Sequence, residues 1–221
     1  WFINTSRLMG VDSTDPETIE AALRLYPGRA LLNSISAEKS RLEKNLPVAA
    51  KYGAMPILLP LTDEGIPSSG AERIAVAEKL LAETAKYGYS EQDVAVDALV
   101  MTVSSDIHAA QATLEVISWA KKRKINSVCG LSNVSFGMPE RQLVNRTFLG
   151  MAAGCGLNMA IANVLFPDLM ESVLAADSLA GKDEHQKNFI AHFAASEGKT
   201  PRPAAAPLSP EETIYRAVLD G

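Results

Sequence analysis

The chain has 221 residues and a mass of 23.6 kDa, with 21 Lys and Arg against 26 Asp and Glu, a net charge of −5 and a pI near 5.3. That length buries a core without disulfide or metal staples, and the mild acidity excludes the basic footprint of a general nucleic-acid or anionic-membrane binder. Cys129 and Cys155 form no C-x-x-C pair, no apolar run reaches membrane-spanning length, and no signal peptide opens the chain, so a cytoplasmic protein is the default expectation.

In chain order, six short apolar runs read as strands: Arg7–Asp12, Ala30–Asn33, Met55–Leu61, Val94–Val100, Ser127–Asn133 and Asn158–Val164. Most are continuously apolar, as strands covered on both faces must be. Helical patterns lie between them. Asp15 followed by Pro16 is an N-cap and first-turn pair that opens the first helix. Ser36 is expected to cap the second, whose stripe is Leu42, Leu46, Val48 and Ala49. The third runs from Gly70 to Lys86 with Ile74, Ala77, Leu80 and Leu81 inward. The fourth runs from about His108 to Lys124 with Leu114, Ile117 and Ala120 inward. Its basic end, Lys121 to Lys124, reads as a solvated helix terminus facing the C-terminal dipole.

Repeated strand–helix alternation means an α/β fold, either a (β/α) barrel or a doubly wound sheet. Neither G-x-G-x-x-G nor the G-x-x-x-x-G-K-[ST] loop follows any strand, which favours the barrel. After Phe193 the composition turns to Ala, Ser, Gly and Pro, and residues 194–209 read as a linker. Ser209-Pro210-Glu211-Glu212 then forms a capping box before the apolar face Ile214, Tyr215, Val218 and Leu219, so residues 210–221 read as the start of a following helical module.

Four strands end in a carboxylate or carboxamide: Val11-Asp12-Ser13, Leu32-Asn33-Ser34, Val96-Asp97-Ala98 and Ser132-Asn133-Val134, with Asn163 as a fifth candidate. In a parallel barrel these ends converge on one mouth, where active sites form. A single Asp or Asn there is as well explained by a helix cap or Asx-turn, whereas four at equivalent places point to a shared polar ligand. With no Ser–His pair, His cluster or Lys at the strand ends, the mouth is unsuited to acyl transfer, Schiff-base chemistry or zinc. A magnesium ion held by two Asp and a flat heterocycle both fit: carboxylates accept from ring N–H and amino groups, and carboxamides meet the other edge.

In this order the residues resemble the pterin-binding methyltransferase family, which includes the methyltetrahydrofolate:corrinoid protein methyltransferases and the folate domain of cobalamin-dependent methionine synthase. The segments that carry the resemblance are Val11-Asp12-Ser13-Thr14-Asp15, Leu32-Asn33-Ser34, Leu61-Thr62-Asp63-Glu64-Gly65-Ile66-Pro67, Gly130-Leu131-Ser132-Asn133-Val134-Ser135-Phe136-Gly137 and Leu143-Val144-Asn145-Arg146-Thr147-Phe148-Leu149. The resemblance implies a TIM (β/α)8 barrel over residues 1–193, here lacking its first two βα units, since those residues fall about 57 short of the roughly 250 typical of the fold. It implies transfer of the N5-methyl group between methyltetrahydrofolate and the cobalt of a cobalamin or related corrinoid. That corrinoid is carried by a partner protein or a neighbouring domain, for which residues 210–221 would be the entry, and the barrel is expected to form a homodimer.

Carried over by position, Asp12, Asn33 and Asp97 form the pterin-binding set, flanked by Gly130, Ser132 and Asn163, and Asn133 is the catalytic residue near N5. An Asn amide supplies no proton at neutral pH, so its role is to stabilise protonated N5 through its oxygen, with water and a carboxylate in the relay. No metal ligands are expected, and the cysteine-bound zinc that activates homocysteine in methionine synthase has no counterpart in this chain. Two other readings stand beside this one: a folate- or corrinoid-docking module without its own catalysis, and a pterin enzyme of the dihydropteroate synthase type, for which the last strands offer no phosphate-binding Lys or Arg pattern. Arg141 and Arg146 read either as contacts to the folate tail and mouth or as structural ion pairs, the latter favoured. His108, His185 and His192 read as surface or structural residues, and both cysteines as inert thiols.

Overall fold

A computed structural model of the chain describes residues 10–197. The strands are β1 (Gly10–Asp12), β2 (Leu31–Ser36), β3 (Met55–Leu59), β4 (Ala95–Asp97), β5 (Asn126–Gly130) and β6 (Met159–Ile161). The helices are α1 (Pro16–Leu25), α2 (Lys39–Lys51), α3 (Gly70–Ala85), α4 (Ala109–Arg123), α5 (Arg141–Cys155), α6 (Pro167–Leu179) and α7 (Lys187–Glu197). All six expected strands are present, mostly shorter than their apolar runs. The chain N-terminal to Gly10 and the helix expected over 210–221 lie outside the described residues. Helix α7 carries four residues into the segment expected to be linker.

The strands form one parallel sheet in strictly sequential order, β1 to β6. A doubly wound sheet reverses its strand order at a switch point; sequential order with every crossover of one hand instead puts all helices on one face and curls the sheet. The described residues accordingly form six consecutive strands of a TIM-type barrel, with β1 and β6 at the edges of the sheet.

The two faces differ in chemistry. Leu32, Ile35, Leu58, Val96 and Cys129 point to the helices and are fully buried against residues such as Ile19, Leu80 and Ile117. Burial of each aliphatic chain contributes roughly 1.5–3 kcal/mol. The opposite face carries a smaller cluster of Ile57, Ala95 and Val128, with Leu31, Met55 and Met159 packed on it. This is the inner face of the partial barrel, and by the two-residue period of a strand Asp12, Asn33, Asp97 and Gly130 share it.

Local signals operate largely as expected. Asp15 caps α1, its carboxylate accepting from Thr18 N–H at 2.9 Å, with Pro16 as first residue. Ser69 and Glu72 form a capping box on α3. Gly70 permits close approach of α3 to α4: a Cβ there would collide with the Glu115 carboxylate and lie 2.9 Å from the Ala112 carbonyl oxygen. The cap expected at Ser36 is a correction. Ser36 belongs to β2 and donates to Glu38 Oε2, while Asp63, from the loop after β3, accepts from Lys39 N–H at 3.2 Å. A carboxylate distant in sequence serves the orphan N–H that a local hydroxyl does not reach. The basic end of α4 is a surface terminus in which Arg123 pairs with Glu78 and Glu91.

Candidate active site

Beyond the carboxyl ends of the strands lies an open cleft of about 330 Å³. Its polar lining is Asn33 from β2, Asp97 from β4 and Asn133 from the turn after β5, with the Gly130 backbone between the last two strands. Leu59, Ile66, Met101 and Ile161 supply apolar walls, an arrangement suited to a flat heterocycle with a few fixed polar groups.

Asp12 stands opposite Asn33 in the β1–β2 register, and Asn33 Nδ2 donates to Asp12 Oδ2 at 3.4 Å. Asp12 is exposed at the rim and reaches the cleft through this contact. Asp97 is the buried acid of the site. Leu99 N–H donates to its Oδ1 at 2.7 Å, and no hydrogen bond to Oδ2 is formed among the described residues. Burial pushes its carboxyl up to about 6, against the lowering effect of the Leu99 N–H. Asp97 in turn adds to the burial that raises the neighbouring Cys129 thiol to about 12, which makes that thiol inert.

The strand expected to run to Asn133 ends at Gly130, and residues 131–135 form a 3-10 turn. That turn lifts the Asn133 side chain off the sheet and over the cleft, and leaves Ser132 exposed outside it. Gly130 makes room for the amide, since a Cβ there would stand 3.3 Å from Asn133 Nδ2. Neighbouring loops brace the turn. Val103 N–H donates to Val134 O, and the hydroxyls of Thr102 and Ser104 donate to Phe136 O at 2.5 and 2.9 Å. From α5, Arg141 donates to Ser132 O at 2.8 Å and Ser135 Oγ at 3.1 Å and lies over the Phe136 ring.

The two arginines therefore separate: Arg146 makes an ion pair with Asp168 at 3.0 Å, whereas Arg141 supports the mouth. Asn163 does not line the cleft; its Oδ1 accepts from Leu165 N–H at 3.0 Å in an Asx-turn ahead of α6. His108 sits at the start of α4 beside Gln111, and His192 approaches Glu171 at 3.7 Å. Among the described residues no three His, Cys, Asp or Glu gather as a metal site, and no helix is long and apolar enough to cross a membrane. A separate apolar cavity of about 240 Å³ lies between α5, β6 and α6, and none of the strand-end residues line it.

Leu99 and Met101 also line the cleft, and nothing in the sequence marks them, because an apolar residue past a strand end resembles any loop anchor. Arg73 did carry a signal: with Val76, Ala77 and Leu80 it occupies the inward stripe of α3, where an arginine is out of place.

Among proteins of known function, the chain is 29% identical over 188 residues to the methylcorrinoid:tetrahydrofolate methyltransferase of Eubacterium limosum, an overlap of 83% of this chain and 69% of that protein. It is 30% identical over 167 residues to the methionine synthase of Mycobacterium tuberculosis, covering 69% of this chain but only 14% of that much longer protein. Solved dihydropteroate synthases share the fold: that of Yersinia pestis superposes with a TM-score of 0.64 at 14% identity, over 80% of this chain and 74% of its own. The Thermus thermophilus enzyme gives 0.59 at 16% identity, over 76% and 69%. Residues 4–163 match the family described as pterin binding enzymes, and the chain belongs to that family.

Proposed function

We propose that this chain is the pterin-binding part of a methyltransferase that moves the N5-methyl group between methyltetrahydrofolate and a corrinoid carried by a partner domain or protein. The observation that carries the reading is the convergence of Asn33, Asp97 and Asn133 on one cleft, in a chain whose relatives include a methylcorrinoid:tetrahydrofolate methyltransferase. Asp97 has one oxygen held by Leu99 N–H and the other available to accept from the pterin amino group and ring N–H. Asn33 and Asp12 meet a second part of the same edge, and the apolar walls cover the ring faces.

Asn133, raised on its turn, presents a carboxamide where the pterin N5 would lie. Methyl departure requires N5 to be protonated or strongly hydrogen-bonded, because the leaving amide-like anion is otherwise too basic. The Asn133 oxygen stabilises protonated N5, and the proton reaches it through water or a carboxylate. A bound corrinoid supplies the cobalt that accepts or returns the methyl group. A linker over 194–209, an entry to a helical corrinoid module over 210–221 and a dimer formed through the barrel belong to the same proposal.

The test is methyl transfer from methyltetrahydrofolate to a Co(I) corrinoid by this protein, followed by the cobalt absorbance change. Asn133→Ala is expected to slow transfer about 100-fold or more while tetrahydrofolate affinity changes less than about threefold. Equal losses in binding and turnover would overturn the role given to Asn133. Tight folate binding with no transfer in the wild type would favour a docking module.

A further inference from the structure

We propose that Arg73, on the far side of the sheet from the cleft, is a positioning residue for Asp97 that acts through the backbone of Leu99. The inference deepens the reading of the cleft given above and rests on it only for the ligand, not for the geometry.

Arg73 is 2% exposed, and among the described residues its guanidinium has only backbone carbonyls as hydrogen-bond partners. Nε donates to Pro67 O at 3.0 Å, Nη2 to Ser68 O at 3.5 Å, and Nη1 to Leu99 O at 2.7 Å. Asp106 and Glu72 act on it through space without direct contact. A buried cation spent on carbonyls calls for a reason, because burying it costs several kcal/mol unless its donors are used. Two of its bonds tie down the segment before its own helix. The third and shortest crosses to the residue that follows Asp97 by two.

Leu99 has φ of 57°, left-handed backbone that a leucine seldom adopts. Its N–H donates to Asp97 Oδ1 at 2.7 Å. Its carbonyl points the other way, where Arg73 and the Thr113 hydroxyl converge on it, the latter at 3.3 Å while shared with Ala109 O at 3.1 Å. One residue, through the two peptide groups on either side of its Cα, thus links a buried cation on α3 and a hydroxyl on α4 to the acid at the mouth. Strained backbone persists only where its surroundings over-determine it, and these two donors hold the carbonyl end. Around Asp97, the Cys129 thiol on β5 is the titratable group that senses it, Arg73 lies one peptide away, and Asp12 on β1 stands beyond Asn33.

Losing the Leu99 N–H contact removes the bond that lowers the Asp97 carboxyl. The experiment is an NMR titration of the 221-residue chain, without ligand, that follows the Asp97 carboxyl carbon and the Leu99 amide together, with Asp97→Asn as the assignment control. In the wild type both are expected to share one midpoint near 6, the amide reporting its bond to the carboxylate. In Arg73→Met the Asp97 midpoint is expected to rise by about 0.5–1 pH unit and the Leu99 amide to lose its response. Thr113→Val removes a donor without removing charge and should move both in the same direction by less. Arg73→Lys keeps the charge but not the three-way fork, and should recover only part of the midpoint.

If Arg73→Met unfolds, Thr113→Val carries the test alone. Folded variants that lower only the melting temperature, with midpoint and amide response unchanged, overturn the proposal. So does an Arg73→Lys chain with wild-type values, which would make the effect one of charge alone. A parallel titration with tetrahydrofolate separates the two readings. A wild-type chain that binds no folate but loses the Leu99 response on Arg73→Met refutes the pterin cleft and leaves Arg73 as a positioning residue.

Discussion

Asp12, the last residue of β1, is paired in register with Asn33 within β2, and the Asn33 amide leans 3.4 Å onto the Asp12 carboxylate. The contact is long and exposed, so it contributes little to the fold: Asp12→Ala and Asn33→Ala should each change unfolding free energy by less than about 0.5–1 kcal/mol. For a ligand edge the pair is worth more. Each substitution is expected to weaken tetrahydrofolate binding about 10–30-fold, the cost of one or two hydrogen bonds, charge-assisted for Asp12 and neutral for Asn33. Calorimetric binding set beside urea unfolding checks this, and losses confined to stability would remove the pair from the site.

Asp97 makes a pH-dependent demand on the fold. Its native carboxyl titrates near 6 rather than 3.8, so between those values the folded chain holds the proton more tightly than the unfolded one. Stability contributed by this group therefore falls as pH rises from about 4 to about 6, and remains lowered above that window. Asp97→Asn should unfold at higher denaturant concentration than wild type at pH 7–8, by on the order of 1–2 kcal/mol, and lose this advantage below about pH 4. The same variant should bind folate far more weakly. Parallel stability curves across this range would show that burial does not perturb Asp97.

Gly130 is constrained by its neighbour rather than by its backbone angle. An added methyl at 3.3 Å from Asn133 Nδ2 pushes the amide by a few tenths of an ångström. Gly130→Ala is expected to slow transfer about 3–30-fold with little change in folate affinity, since misplacing a reacting group is felt in turnover. An affinity loss that matches the rate loss would instead place Gly130 against the ligand.

Gly70 offers a prediction about stability alone. A branched side chain between α3 and α4 meets the Glu115 carboxylate, which can swing aside, and the Ala112 carbonyl, a backbone atom that cannot yield cheaply. Gly70→Val should cost about 1–3 kcal/mol of unfolding free energy, and a neutral result would show that the two helices can separate.

The expected elements were legible where the cause was local. Asp15 and Pro16 start α1 because a carboxylate and a preset φ act within one turn. Ser36 misled because strand pairing, not its hydroxyl, decides its conformation. Asn133, expected at a strand end, sits on a 3-10 turn, whose bracing comes from two separate segments: Arg141 of α5, and Thr102 and Ser104 of the loop after β4.

The sequence by itself determined the parallel α/β class and the polar character of the residues near the strand ends, since these follow from periodicity and from residue chemistry at short range. Only the tertiary structure decided which of those ends share a cleft. Curling of the sheet brings Asn33, Asp97 and Asn133 together, while Asn163 closes its own turn and Ser132 faces outward. The burial of Arg73 behind Leu99 was likewise decided there, because a buried charge is tolerable only when distant carbonyls arrive to meet it, and no pattern within one helix shows where they come from.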